Sequence, residues 1–286
     1  MTRRALSRGA ALCAALAAAL PAAAQFQAPR PSPKASVSQT IGLTDVGVSY
    51  SRPSVKGRVI WGGLVPYDKP WRTGANEATT ITFSDDVTVN GQKLAAGTYS
   101  IVTFPGKTEW TVAFNKDTKL WWETEYDAAK DALRVKVAPQ EAAHKETFEI
   151  SFPAVGADSA QLAFHWEKVY VPVFVGTETK AKAMELAKKE VEKASAEAWR
   201  TPLRAARWAW ESKASLDDAA AWADRSIAVQ ENWSNLSLKA RILADQGKTK
   251  EAIATGEKAV QVARASAQKP DTAELEKLLA EWKAKK

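Results

Sequence analysis

The sequence of 286 residues has a single cysteine and only two histidines. The cysteine, Cys13, lies inside an N-terminal apolar run from Ala10 to Leu20. Arg3, Arg4 and Arg8 precede that run without any acid, Pro21 breaks it, and Ala22-Ala23-Ala24 places small residues before Gln25. This is the pattern of a secretory signal. The run is too short to span a bilayer, and Leu12 before Cys13 is too bulky for a lipoprotein cleavage site. We therefore expect a signal peptide over residues 1–24 and a periplasmic or secreted mature chain without a membrane span. Such a chain would hold no cysteine, which excludes disulfides, a thiolate nucleophile and thiolate metal ligands.

Scarce histidine removes further chemistry. His144 and His165 have no near partner in sequence, so a histidine metal site is not expected. His165, in Leu162-Ala-Phe-His-Trp-Glu-Lys168, reads as a satisfied strand residue. No Gly-x-Ser-x-Gly elbow is present, and no hydrolase triad can be assembled. Oxygen-only calcium sites around Asp85-Asp86 or Asp127 to Asp131 match no recognised loop spacing. No cofactor is expected.

One-sided charge is also missing. The formal net charge of +7 includes three signal-peptide arginines. From Gln25 to Gly176 there are sixteen basic and sixteen acidic residues; from Thr177 to Lys286 there are twenty-one and seventeen. The excess is interspersed along helical patterns, not gathered in a block, so nucleic acid is not an expected partner.

Against these absences stands one rich segment, Tyr50 to Thr79, YSRPSVKGRVIWGGLVPYDKPWRTGANEAT. It is polar, aromatic and full of turn formers, with no helical or strand period. Loops bury little apolar area against their entropy, and binding sites concentrate on them. We expect Arg52, Lys56, Arg58, Arg72, Asn76 and Glu77 to converge with Trp61, Trp71 and Tyr50 as walls, the binding site itself being made of these residues other than Lys56 and Tyr50. Arginine offers forked donors for carboxylate or phosphate. The bland alternative is a structural lid in which arginine–glutamate pairs and tryptophans seal an open end. Lys56-Gly57-Arg58 is a weak phosphate turn, because a strand, not a helix N-terminus, is expected to follow. Catalysis would need Glu77 with a second acid such as Asp68, Glu123 or Glu125; no catalytic residue is assigned.

The rest of the chain predicts an α+β protein. Residues 25–35, rich in proline and serine, read as a flexible leader. Residues 36–176 carry a period of two, with the Asn90-Gly91 hairpin signal and short runs at Val87–Val89, Lys93–Gly97, Thr98–Phe104, Trp110–Phe114, Ala132–Ala138, Thr147–Phe152, Gln161–Trp166 and Tyr170–Val175. Eight or nine strands without intervening helices indicate an antiparallel β-sandwich-like domain. Residues 177–286 turn helical over Glu178–Lys193, Glu197–Trp210, Ser215–Gln230, Trp233–Gln246, Thr249–Ser266 and Asp271–Lys283, with Ser215 and Asp271 as N-caps and Gly247 as a C-cap. Trp210/Leu243, Ala219/Ala252 and Ile227/Val260 each lie thirty-three residues apart, a weak tetratricopeptide-like repeat. Trp199, Trp208, Trp210, Trp222 and Trp233 would fill grooves between helices. Trp110 and Trp166 belong to the β core, and Trp121-Trp122 reads as an exposed strand pair.

The motifs Tyr50-Ser-Arg-Pro-Ser-Val-Lys-Gly-Arg58, Trp71-Arg-Thr-Gly-Ala-Asn-Glu77, Asn90-Gly91, Ala96-Gly-Thr-Tyr99 and Trp110-Thr-Val-Ala-Phe-Asn115 resemble the domain of unknown function 2911 family, over about half the chain from Ser36 to Val175. The resemblance implies an exported β domain, sometimes followed by tetratricopeptide-like helices, and brings no settled activity. The expectation is a non-catalytic binding module for an anionic or glycan cell-envelope ligand, with the C-terminal helices open to a protein partner. A cell-envelope hydrolase using Glu77 and a purely structural scaffold are the alternatives.

Overall fold

A computed structural model describes residues 28–121 and 123–285, without the Glu123 side chain. The expected signal peptide, Gln25–Gln27 of the leader and Trp122 lie outside the described residues. The chain divides between Pro31 and Ser32, and the described elements all lie in the compact unit Ser32–Lys286. Before the division, Ala28–Arg30 carry no helix or strand.

That unit begins with ten antiparallel strands. These are β1 (Lys34–Ile41), β2 (Thr44–Ser51), β3 (Thr80–Phe83), β4 (Val87–Val89), β5 (Gln92–Leu94), β6 (Gly97–Phe104), β7 (Trp110–Asn115), β8 (Asp131–Val137), β9 (Gln140–Val155) and β10 (Ser159–Thr177). One sheet has the order β1-β2-β3-β6-β7-β8, the other β5-β4-β10-β9. Alternation aims one face of each sheet inward. Val46, Val48, Ile81, Ile101, Val112 and Phe114 from the first meet Phe148, Ile150, Leu162, Phe164, Val171 and Val173 from the second in one buried cluster. Asn90 and Gly91 both take positive φ, 47° and 79°, in the turn between β4 and β5.

The second half of the β region differs from the short strands expected. Thr147–Phe152 is part of the sixteen-residue β9, and Gln161–Trp166 and Tyr170–Val175 are one nineteen-residue strand, β10. Glu167-Lys168 falls between the two runs expected from the sequence. In the structure it is a bulge: the β9–β10 register shifts on either side of Glu167, whose φ is 54°. Pairing with the sixteen-residue β9 carries the strand through.

Two irregular segments close the sandwich. Residues 52–79 hold no helix or named strand, and Val55, Ile60, Val65 and Trp71 drop from them into the core. A strap, 116–130, crosses the outer face of the larger sheet, where Leu120 and Tyr126 pack on Val102, Ala113 and Phe104. It contains two 3-10 turns, Glu123–Glu125 and Ala128–Lys130. Trp121 therefore lies outside any strand, and its expected strand setting is not what exposes it.

Six helices follow: α1 (Thr179–Lys193), α2 (Arg200–Glu211), α3 (Leu216–Val229), α4 (Trp233–Asp245), α5 (Thr249–Ala265) and α6 (Ala273–Ala284). Ser215 caps α3 by accepting from the Asp218 amide. Asn232 and Asn235 form a reciprocal capping box on α4 that the sequence reading missed. Gly247, φ 77°, ends α4. Small residues let the helices approach: Ala206, Ala209, Ala219 and Ala223 share one buried cluster with Leu238 and Ile242, and Ala240 and Ala259 share another with Leu275 and Leu279. Trp210 Nε1 donates to Asp245 one hairpin further on (2.6 Å).

The helical and β cores are separate clusters. Polar contacts join them at the start of α1: Lys182 Nζ donates to the Leu43 carbonyl (2.7 Å) and pairs with Asp85. Gly42, φ 60°, faces Thr179 so closely that an added Cβ would fall 1.9 Å from Thr179 Oγ1.

Candidate functional site

Four tryptophans form the base of the loop end. Trp71 stacks on Trp166 at 5.7 Å between centroids with planes 19° apart. Trp61 meets Trp71, Trp110 and Trp166 edge-on at 5.7, 5.0 and 5.8 Å. Such offset and edge contacts add to the area these rings bury. Trp71 is fixed further by paired backbone hydrogen bonds with Thr103 (2.8 Å each way) and by its Nε1 donating to the Gly74 carbonyl (3.1 Å).

Past Trp71 the backbone is forced. Thr73, fully buried, has φ 56°, an outlier for a β-branched residue. Its hydroxyl bonds Trp71 and Thr103, and its carbonyl accepts from Thr79 Oγ1 (2.7 Å). Asn76 also takes φ 60°, and its side-chain amide donates to the Ser32 carbonyl (3.0 Å). Arg72 lies between these constraints and donates from Nη1 to the carbonyls of Asn76 (2.6 Å) and Trp121.

Above this base opens a cleft of about 630 Å³, lined by Arg58, Lys69, Trp71, Arg72, Asn76, Thr124 and Trp166, with Leu64, Val65, Pro53, Pro66 and Pro70 among its apolar walls. That size suits a small organic ligand. Its described lining holds three cations and no carboxylate.

Of the seven expected site residues, Arg58, Trp71, Arg72 and Asn76 line this cleft and three do not. Arg52 is turned to β9, where Nε donates to the Phe148 carbonyl (2.9 Å) and the guanidinium lies 3.9 Å from Glu149. Trp61 is enclosed by other tryptophans and serves as base, not platform. Glu77 is half-buried, has a partner of its own and is not among the lining residues. Neither Asp68 nor Glu125 faces the cleft, and Glu125 accepts from the Trp121 amide (2.9 Å).

Sequence reasoning missed Lys69, Thr124 and the prolines. Lys69 lies in the same loop segment, but a lone lysine there carries no pattern that sets it apart from Lys56. Thr124 comes from the strap, and no local pattern links it to residue 72. Arg58 is already partly spent: Nε and Nη2 donate to the carbonyls of Val55 (3.1 Å) and Ser54.

The weak phosphate turn is occupied by the protein itself. Lys56 and Gly57 take positive φ, and the Lys56 amide donates to Glu146 Oε1 (2.9 Å), which holds that carboxyl below its usual range. The segment after Arg58 is a tight turn and not the expected strand: the Leu64 and Val65 amides return to the carbonyls of Val59 and Ile60. Around the calcium candidates, Asp86 accepts from the Ala96 amide, Asp127 caps Ala129, and Asp131 is shared by Asn115, Tyr126 and Arg134. Among the described residues, no group of three or more His, Cys, Asp or Glu is placed to hold a metal. His165 Nε2 donates to the Ala143 carbonyl (2.9 Å). No described helix is long and apolar enough to cross a membrane.

Comparison with curated proteins finds no match, and neither does comparison with solved structures. A family profile described as protein of unknown function (DUF2911) matches residues 32–175, which span the whole sandwich except the last two residues of β10 and include every cleft-lining residue, and the chain belongs to that family.

Proposed function

We propose that this chain is an exported, non-catalytic binding protein whose cleft takes a small anionic ligand with an apolar body. The observation that carries the reading is the lining: Arg58, Lys69 and Arg72 without a described carboxylate, over a base of Trp71 and Trp166. Cations in a partly apolar recess attract an anion more strongly than in open water. Lys69 makes no hydrogen bond or ion pair among the described residues, so its charge is open to a ligand. Export rests on the N-terminal pattern, and the helical hairpins supply surface for a protein partner. A hydrolase that uses Glu77 as its acid or base is disfavoured because Glu77 is not among the lining residues and the described lining holds no other carboxyl for that role.

The test is the melting temperature with inorganic phosphate, dicarboxylates, sugar phosphates and neutral glycans. A ligand of the native state raises it by mass action. The expected result is a shift with anions, lost in Lys69→Ala. A shift with neutral glycans alone overturns the anionic reading.

A structural lid is the second reading. What favours it is that Arg52, Arg58 and Arg72 all donate to backbone carbonyls, while residues 52–79 insert four apolar side chains into the core. On this reading no compound shifts the melting temperature, and loosening the loop unfolds the sandwich.

A further inference from the structure

At the mouth of the cleft the loop builds a rigid knob. Gly62 takes φ 81°, and an added Cβ at Gly63 would meet the Val59 carbonyl at 2.5 Å. The turn is therefore closed by glycine and by the backbone bonds from Leu64 and Val65. Trp61 and Ile60 anchor it in the core. The knob holds Val59 and Leu64 out to solvent, 75% and 48% exposed. Pro66 is exposed beside them, and Trp121, 42% exposed, is tied through its carbonyl to Arg72 of the cleft lining. Val59, Leu64 and Trp121 make up three of the seven large exposed hydrophobics among the described residues.

The same segment is cationic. Between residues 56 and 69, Lys56, Arg58 and Lys69 are exposed against one acid, Asp68; the second acid of the loop, Glu77, is half-buried. Glu146, from β9, is drawn to the Lys56 amide. Exposed apolar side chains ringed by cations do not suit a soluble anion alone, which would leave the knob wet. They suit a surface with anionic groups outside and hydrocarbon below: apolar tips enter the interface, an aromatic ring lies at headgroup depth, and lysine and arginine stay with the phosphates. Open backbone carbonyls would be costly there, and the knob turns those of Val59 and Ile60 onto its own amides.

We propose that the cleft mouth docks on an anionic lipid surface, with Val59 and Leu64 inserted and a headgroup phosphate seated between Arg58 and Lys69. This rests on reading the cleft as an anion site and names the source of the anion.

The test is co-sedimentation of the chain from Gln25 onward, which retains every described element, with vesicles of phosphatidylethanolamine and phosphatidylglycerol, or of phosphatidylcholine alone. Binding to the anionic vesicles, weakened by salt, is expected. Lys69→Ala should weaken it about fivefold, the contribution of one cation at such a surface. Val59→Ser with Leu64→Ser should weaken it further while leaving the melting temperature unchanged, since neither side chain supports the core. Equal binding to phosphatidylcholine, or no effect of the serine pair, overturns the proposal. If neither vesicle binds but inorganic phosphate still raises the melting temperature, docking falls and the anion site stands. If neither the vesicles nor any of the anions tried in the melting experiment act, both fall.

Discussion

The Arg72 guanidinium donates from Nη1 to the carbonyl of Trp121, forty-nine positions further on, and to that of Asn76. One side chain thus ties the loop over the sandwich end to the strap over the outer sheet. Hydrogen bonds from a charged donor contribute about 1.5–3 kcal/mol. Arg72→Ala should destabilise the protein by about that much in urea unfolding. Arg72→Lys should recover only part, because an ammonium lacks the planar fork. An unchanged midpoint in Arg72→Ala would show that the tie is not made in solution.

The tryptophan base separates packing from polar satisfaction. Trp71 Nε1 has an acceptor in Gly74, whereas the buried Trp61 Nε1 has none among the described residues. Trp71→Phe should therefore cost about 1 kcal/mol more than Trp61→Phe. Trp71→Ala should cost about 3–5 kcal/mol, as large aromatic truncations in cores do. Chemical denaturation of the three variants checks the order; a costlier Trp61→Phe would refute it.

The junction with the helices should weaken in acid. The hydrogen bond from Lys182, and then that from Ser84, hold the Asp85 carboxyl below its ordinary value. With the folded value depressed, the stabilisation is full above the unfolded value, about 3.9, and is lost as pH falls through the folded one. Proteolysis at residues 177–179 should accelerate below about pH 4. Lys182→Ala should show rapid cleavage at neutral pH and a flatter acid dependence. Gly42→Ala should loosen the same seat, since its Cβ would collide with Thr179.

Tyr126 should titrate late. Burial first, and then its hydrogen bond to Asp131, push its hydroxyl up to about 12. The folded value lies above the unfolded one, about 10. The associated stability is complete below about pH 10 and is lost as pH rises from there towards 12. Phenolate absorbance should show a last ionising component that disappears in Tyr126→Phe and moves to lower pH in Asp131→Asn.

Local sequence determined the elements. Alternation in Thr44–Ser51, the Asn90-Gly91 turn, and the helices from Thr179 to Ala284 with their Ser215 and Gly247 ends follow from side-chain direction and positive φ, which act within a few residues. The segment from Tyr50 to Thr79 was marked by its composition, and four of its seven named residues do face one cleft. Only tertiary structure decided which four. Trp61 was consumed by three other rings and Arg52 by the Phe148 carbonyl, while Thr124 was added from the strap. Likewise, only the long pairing with β9 carried β10 through Glu167. Each outcome depends on contacts between residues tens of positions apart, whose partners compete for the same donors, rings and space, and no local pattern in the chain records which of them wins.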